Sequence, residues 1–408
     1  QEVARLQKEG WKYTKVAYRQ VLFFFGEISL KRRVLVKDGQ IKKPLDEWLG
    51  LDPYVRFSPI VILKIAEMLT LSSYAKTSAQ FNYLKNLFIS KDTISEVRKV
   101  FTSLYRARAE CQKDEDIPKR QVKRLYLEGD GIVVKAKAST GRKKIELAHF
   151  LVHEGVEVVN GERRLINKHR VISANHYKAK QAMMDYIDQH YELTADTLLI
   201  TNSDMGIGYG PAVFESFSKF LGGRWEHFWD EYHLNRLIFR QFQTLSYLVT
   251  EAFNPVQSLY KAIKKHDKKE ARRILDTVAS MIEDDESLAH FENFARRLLR
   301  FFKYTQPALL RGLSHEGIGV MESQNALIAD RMKARRMSWT VEGAETVAQM
   351  VIDASEGTLR SLFFGHWRSE WQKMEAMPSV AFFVKSSRRG QASIRHAVQA
   401  NKSGRRLR

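Results

Sequence analysis

Two acids in this chain stand at the ends or centres of apolar strand patterns, where packing alone has no use for them. Asp130 lies in Leu125-Tyr126-Leu127-Glu128-Gly129-Asp130-Gly131-Ile132-Val133-Val134, flanked by glycines, and Asp204 closes Leu198-Leu199-Ile200-Thr201-Asn202-Ser203-Asp204-Met205-Gly206. Carboxylates set side by side repel at neutral pH, and hard divalent cations with oxygen ligands relieve that repulsion. A third acid is then wanted. The stretch Gly319 to Lys333 has a helical period that puts Glu322, Ala326, Ala329 and Lys333 on one face, although spacing alone does not separate Glu322 from Glu316. Asp230 and His233, in Trp229-Asp230-Glu231-Tyr232-His233, form a further pair. Two such residues make no zinc site by themselves, and the pair reads equally as a strand end with a satisfied core histidine.

These acids need a sheet to align them. Strand patterns run over residues 122–135, 145–157 and 165–173, followed by a helix over about 176–191 and the strand that ends on Asp204. Three strands, a helix and a further strand is the order of an RNase H-like sheet, in which the first and fourth strands are neighbours. The separation of 204 − 130 = 74 residues suits that order. From His233 to about Glu316 the period is almost wholly helical, over 234–248, 256–265, 268–283 and 287–304. Arg296, Arg297, Arg300 and Lys303 beside Phe301 and Phe302 read either as a nucleic-acid-facing surface or as core with a solvated rim. After Trp339, Thr340 can cap another helix with Glu342 in its first turn.

The N-terminal region starts with a polar helical stretch and continues as a small β meander, Tyr18 to Phe25 and Ile28 to Val36, with turns at Gly26 and at Lys37-Asp38-Gly39. Ser58 then caps a helix with Pro59 at its first position, and helices over 73–88 and 90–111 complete a trihelical unit. As a helix-turn-helix its third helix offers Lys91, Thr93, Arg98 and Lys99 to a DNA groove; trihelical bundles also arise for structural reasons alone. The expected division is a β-rich region at 1–57, a helix-turn-helix-like domain at 58–118, a catalytic core at 119–232 and 317–370, an all-helical insertion at 233–316, and a basic tail at 371–408. The fold class is α/β, in the α+β multidomain sense.

Composition narrows the function classes. With 67 Lys+Arg against 47 Asp+Glu in 408 residues, the net charge of +20 calls for a polyanionic partner. The segment Arg331 to Arg336 has four cations in six residues, and Lys385 to Arg408 has eight with no acid. Lys333, Arg335, Arg336, Arg388 and Arg389 therefore join Arg331 as phosphate contacts, against the alternative of a solvated face or frayed terminus. At 44% hydrophobic residues the chain can bury several cores, which excludes disorder throughout. Its longest apolar run, Val21 to Phe25, is far too short to span a membrane, so a soluble chain is expected. One cysteine, Cys111, excludes an internal disulfide and a Cys-based zinc site and fits a reducing compartment such as the bacterial cytoplasm, at the nucleoid. Gln1 is an unexpected natural start.

Several segments together carry a family resemblance: Phe25-Gly26-Glu27-Ile28; Leu45-Asp46-Glu47-Trp48-Leu49-Gly50-Leu51 with Pro53-Tyr54 and Ser58-Pro59; Glu128-Gly129-Asp130-Gly131; Tyr232-His233-Leu234-Asn235; Met321-Glu322-Ser323; and Arg331-Met332-Lys333 with Met337-Ser338-Trp339. In this order they resemble the ISLre family of bacterial insertion-sequence transposases. The resemblance implies a DDE recombinase with an RNase H-like core and Asp130, Asp204 and Glu322 as its triad, choosing Glu322 over Glu316. The family's second acid usually has a Gly-Asp-Gly setting, whereas here it reads Ser203-Asp204-Met205. Asp230 and His233 resemble the Asp-x-x-His signature of related transposases. The implied cofactor is Mg²⁺, or Mn²⁺, with two ions per site held by the triad. The implied partners are double-stranded DNA, as terminal inverted repeats and target, and further copies of the chain in a homodimer or larger assembly. A DNA-binding regulator and a structure-specific nuclease are the other classes weighed, the first requiring no triad and the second cutting without joining.

Overall fold

In the computed structural model, which describes residues 2–85, 87–111, 117–249, 253–333 and 337–365, the chain is a mixed α/β protein. Its described residues fall into two compact units, one drawn from within 2–67, 78–111 and 353–365 and the other from within 68–77 and 117–352.

The first unit starts with α1 (Glu2–Lys8) and an antiparallel sheet of β1 (Lys12–Phe23), β2 (Gly26–Lys37) and β3 (Gln40–Lys42), in that order. β1 begins six residues before the expected Tyr18, because the ladder extends past the part of the hairpin that is buried and residues 12–16 show no core-facing signal. Phe24 and Phe25 make the turn, closed by Gly26 at φ 139°, a conformation that only glycine adopts without strain. The short helix α2 (Pro44–Trp48) inserts Asp46, 6% exposed, between two guanidinium groups. Arg19 Nη1 of β1 donates to Asp46 Oδ2 at 2.8 Å, and Arg32 of β2 donates to the same oxygen. Arg19 also donates to the carbonyls of Asp52 and Val55, fixing the loop that follows α2. Three helices come next, α3 (Pro59–Leu71), α4 (Tyr74–Lys85) and α5 (Lys91–Cys111).

In the second unit, β5 (Arg124–Lys135) is preceded by the two-residue β4 (Arg120–Gln121) and followed by β6 (Lys144–His153), a small hairpin β7 (Val156–Val159) and β8 (Glu162–Leu165), and β9 (His169–Ser173). Then come α6 (His176–His190), β10 (Tyr191–Glu192), β11 (Leu198–Ser203), α7 (Pro211–Leu221) and β12 (Arg224–Trp229). The main sheet has the order β12-β11-β5-β6-β9, with β5, β11 and β12 parallel and β6 antiparallel to both its neighbours. The strand bearing Asp130 therefore lies against the strand that leads to Asp204. α6 and α7 bury Met183, Phe214 and Phe217 against Leu127, Phe150 and Val152 on one face. Tyr126, Ile200 and Phe228 on the other face pack against Ala308 and Leu313. β12, rich in aromatics but interrupted by Arg224 and Glu226, gave no clean period in the sequence.

The expected helical segment is present as α8 (Glu231–Gln243), α9 (Pro255–Lys264), α10 (Lys268–Ser280) and α11 (Asp285–Phe301), around a core that includes Ile238, Phe242, Leu259, Ile274 and Phe291. Each start is fixed by a side chain accepting the N–H three residues on: Asp230, Asn254, Asp267 and Asp284. The chain continues through α12 (Met321–Met332), α13 (Val341–Glu356) and α14 (Leu359–Phe364). Phe363 of α14 stacks on Phe101 of α5, with ring centroids 5.6 Å apart, and Tyr105 donates to Asp353 at 2.7 Å, so these C-terminal residues belong with the first unit. Among the described residues no helix is long and apolar enough to cross a membrane.

Two of the expected DNA contacts are instead structural. Arg331 is 2% exposed, donates from Nε to Leu69 O at 2.8 Å and lies over the Trp339 ring at 5.4 Å. Arg98 is 7% exposed, on the face of α5 that buries Ile94, Val97 and Phe101, with Nη1 3.2 Å from Thr102 Oγ1. In both cases a long side chain lies along apolar neighbours and directs its head group to partners within the protein.

Two buried histidines make the second unit acid-sensitive. His153 and His227 are 0% and 2% exposed, and burial pushes their pKa values down to about 4 and about 3; for His227 the nearby Arg311 and Lys303 charges add to the effect. An unfolded chain protonates both near pH 6.5, while the folded one does not. Their contribution is therefore fully present above pH 6.5 and lost as pH falls toward 4 and 3. Each should cost about 2 kcal/mol between pH 6.5 and 5. Urea midpoints followed across this range should drop steeply, and a flat profile down to pH 4 would contradict the assignment.

Candidate catalytic site

The central strand and the ends of its two parallel neighbours bring three acids around one cavity. Asn202 of β11 lies opposite Glu128 of β5 on one side and opposite Phe228 of β12 on the other. Asp130 lies two residues further along β5, on the same face as Glu128, and Asp204 and Asp230 each follow directly on the last residue of β11 and β12. Gly129 has a packing reason of its own: a Cβ there would meet the Phe150 ring at 2.7 Å.

α12 is fastened over these acids at two points. Glu128, 1% exposed, accepts the N–H groups of Gly319 at 2.6 Å and Met321 at 2.8 Å at the start of the helix. Burial outweighs those two bonds and pushes its pKa up to about 8. One turn beyond Glu322, Asn325 donates from Nδ2 to Asp130 Oδ2 at 2.6 Å, while its Oδ1 lies 2.7 Å from His149 Nδ1. The helix start is thus tied to the central strand, and Glu322 is carried to Asp130. The ligand atoms of Asp130, Glu322 and His233 lie within 4.8 Å of one another. Asp204 and Asp230 line the same small cavity, together with Asn202 and Met321. Glu316 is elsewhere, exposed and 3.7 Å from Arg163.

The electrostatics follow from this crowding. Asp130 is raised above the usual carboxylate range, first by burial, with the Gly131 N–H opposing and the Asp204 and Glu322 charges adding to it. Asp230 is held below that range: burial raises it, but hydrogen bonds from His233 and from Asn202 Nδ2 more than compensate. His233 is raised in turn by its bond to Asp230 and by the Asp130 and Asp204 charges. Asp204 Oδ1 accepts the Gly206 N–H at 2.7 Å across a tight turn in which Met205 takes φ 58°. Arg297 of α11, lying over the Trp229 ring, donates to Met205 O at 2.9 Å and so braces the turn from the helical segment.

The site therefore gathers all five acids and bases expected from sequence, Asp130, Asp204, Glu322, Asp230 and His233. It also contains three residues that sequence reasoning missed. Glu128 and Asn202 stand two positions before Asp130 and Asp204, hence on the same strand face, and Asn325 stands three after Glu322; those offsets were the available signals. Of the expected DNA contacts, Lys91, Lys99 and Lys333 are exposed, Lys99 pairing with Glu96 at 2.7 Å, and Thr93 lies 3.1 Å from Ser90 Oγ at the helix start. Arg335, Arg336, Arg388 and Arg389 lie outside the described residues.

Residues 2–370 match the family described as "Uncharacterised protein family (UPF0236)". The "UPF0236 protein in vanSb 3'region" of Streptococcus gallolyticus is 30% identical over 368 residues, covering 89% of this chain and 77% of the relative. Among solved structures, the Drosophila P element transposase strand transfer complex aligns with 85% of this chain and 90% of its own, at 12% identity and a TM-score of 0.24.

Proposed function

This chain belongs to the UPF0236 family, and we propose that it is a DDE transposase of an insertion sequence, cutting DNA ends and joining them to a target by in-line phosphoryl transfer. The observation that carries the reading is the gathering of Asp130 on β5 with Asp204 and Asp230, which directly follow the neighbouring parallel strands β11 and β12, around one small cavity, with Glu322 brought to within 4.8 Å of Asp130 and His233. A sheet in which the first strand lies between the second and the fourth, the second antiparallel and the fourth parallel to it, supports an RNase H-like core. The ISLre resemblance, the triad and the helix-turn-helix role of residues 58–118, with Lys91 and Lys99 exposed at the start of α5, belong to the same reading.

The donor set fits a hard divalent cation: carboxylates at a distance that leaves room for an ion between them, with one imidazole beside them. Asp130, Asp204 and Glu322 would hold Mg²⁺ or Mn²⁺, two ions in the reading favoured here. Such ions, when bound, activate the attacking oxygen and stabilise charge on the leaving 3′ oxygen. The chain's own residues set the stage for that. Asn325 orients Asp130, Glu128 holds the helix that presents Glu322, and Asp230 fixes His233, which can hold a proton beside the carboxylates. Water attacks in end cleavage and the freed 3′-OH in joining, so no side chain becomes covalently attached to DNA. Joining two ends calls for more than one copy of the chain.

The products of a labelled duplex that carries the element's own end test the assignment. Joined strands formed only with Mg²⁺ or Mn²⁺ are expected. Cleavage without joining would favour a structure-specific nuclease, and binding without chemistry a regulator. Within the same assay, Asn325→Ala should lower turnover about 10- to 100-fold, as loss of a group that orients a ligand does, with DNA affinity unchanged. Wild-type turnover in that variant would remove Asn325 from the site.

A further inference from the structure

The connection between β5 and β6 holds five cations in ten residues, Lys135, Lys137, Arg142, Lys143 and Lys144, and no acid. All five are exposed, and among the described residues none has an ion-pair partner within 4 Å. Lys135 lies directly opposite Lys144 in the ladder, a placement in which like charges cost stability. The nearest acid along the strand is Glu146, opposite Val133.

This is a pinned hairpin and not a frayed loop. Ala136 forms a parallel bridge with Trp339, Trp339 N–H donates to Lys135 O at 2.9 Å, and Lys137 N–H donates to Trp339 O at 2.8 Å. Trp339 is 5% exposed, and its indole N–H lies 3.3 Å from Met332 O at the end of α12. At the tip a single 3₁₀ turn, Ala138–Thr140, ends on Gly141 at φ 68°, with Thr140 Oγ1 donating to Lys137 O. The Trp339 clip sets the hairpin base beside the last turn of the helix that carries Glu322, next to the exposed Lys333.

We propose that this hairpin is a phosphate-binding surface that holds duplex DNA outside the catalytic cavity. A pinned array of uncompensated cations, two of them directly opposite each other, matches the regularly spaced charge of a nucleic-acid backbone. The placement along the substrate rests on the proposed function. Lys135 is five residues along β5 from Asp130, about 17 Å at ~3.3 Å per residue, which corresponds to about five base pairs from the reacting phosphate.

The test is fluorescence anisotropy of a labelled duplex over a series of salt concentrations, with the full chain and a variant carrying Lys137→Ala, Arg142→Ala, Lys143→Ala and Lys144→Ala. Loss of three to four phosphate contacts should flatten the slope of log Kobs against log salt by about 3 and weaken binding at least about tenfold at low salt. A control that removes Lys264, Lys265, Lys268 and Lys269 from the α9–α10 turn should keep the wild-type slope, and circular dichroism should show both variants folded. The proposal is overturned by a wild-type slope in the hairpin variant, by an equal loss in the control, or by a wild-type protein that does not bind duplex. A flattened slope in the hairpin variant from a protein that cuts no DNA would sink the catalytic reading and leave the hairpin assignment standing.

Discussion

Asp130→Asn should abolish DNA end cleavage, lowering it by at least about 10³-fold, the scale of effect seen when a central catalytic group is removed, while duplex affinity and fold persist. The amide keeps the shape of the carboxylate and an oxygen that can still accept from Asn325 Nδ2, so the tie between β5 and α12 survives. Only charge is lost. Asp130 is half-buried, with its pKa raised first by burial and further by the Asp204 and Glu322 charges, so its neutralisation removes a desolvation cost and a repulsion. The folded protein should therefore melt at the same temperature as the wild type or higher. Lost turnover with unimpaired stability marks a group kept for chemistry. Retained turnover, or a variant that loses activity because it unfolds, would contradict the assignment.

The largest stability effect is expected far from that site, at Asp46. Its carboxylate pairs with both Arg19 and Arg32, and the side chains of all three are between 9% and 13% exposed. Asp46→Ala leaves two guanidinium groups largely buried without a counter-charge, which should cost about 3–5 kcal/mol. Arg19 keeps its carbonyl partners at Asp52 and Val55, so the uncompensated charge of Arg32 should account for much of the loss. Replacing all three by apolar residues of similar volume should restore most of the stability. Denaturant midpoints would decide the matter, and a loss below about 1 kcal/mol in Asp46→Ala, the scale of an exposed ion pair, would show that the node is solvated.

How much of this could be read in the sequence depended on whether the signal was local. Asp130 and Asp204 were visible because an acid in an apolar strand contradicts its surroundings, and the helical segment after His233 because its period of 3.6 is sustained and its caps are Asp and Asn. Spacing showed Glu322 only as one of two acids, and the family resemblance chose it over Glu316; in the fold what distinguishes them is Asn325, one turn on, bonded to Asp130. Glu128 was hidden for a different reason. Its role is to receive the start of a helix 191 residues later, a long-range pairing that leaves no local pattern. Arg98 and Arg331 misled because a Lys/Arg count records charge but not burial. Asp46 sat inside a quoted motif without a role until β1 and β2 brought Arg19 and Arg32 to it.

Asp130, Asp204 and Glu322, with His233 beside them, are proposed to hold a divalent cation. Because the sequence of the element's ends is not needed for it, Mn²⁺ binding followed by electron paramagnetic resonance tests this most directly, with the full chain in the presence of duplex DNA. The wild type should take up Mn²⁺, and Asp130→Asn and Glu322→Gln should each lose a site while remaining folded. Equal uptake by all three proteins, or none by the wild type, would overturn the metal-site assignment.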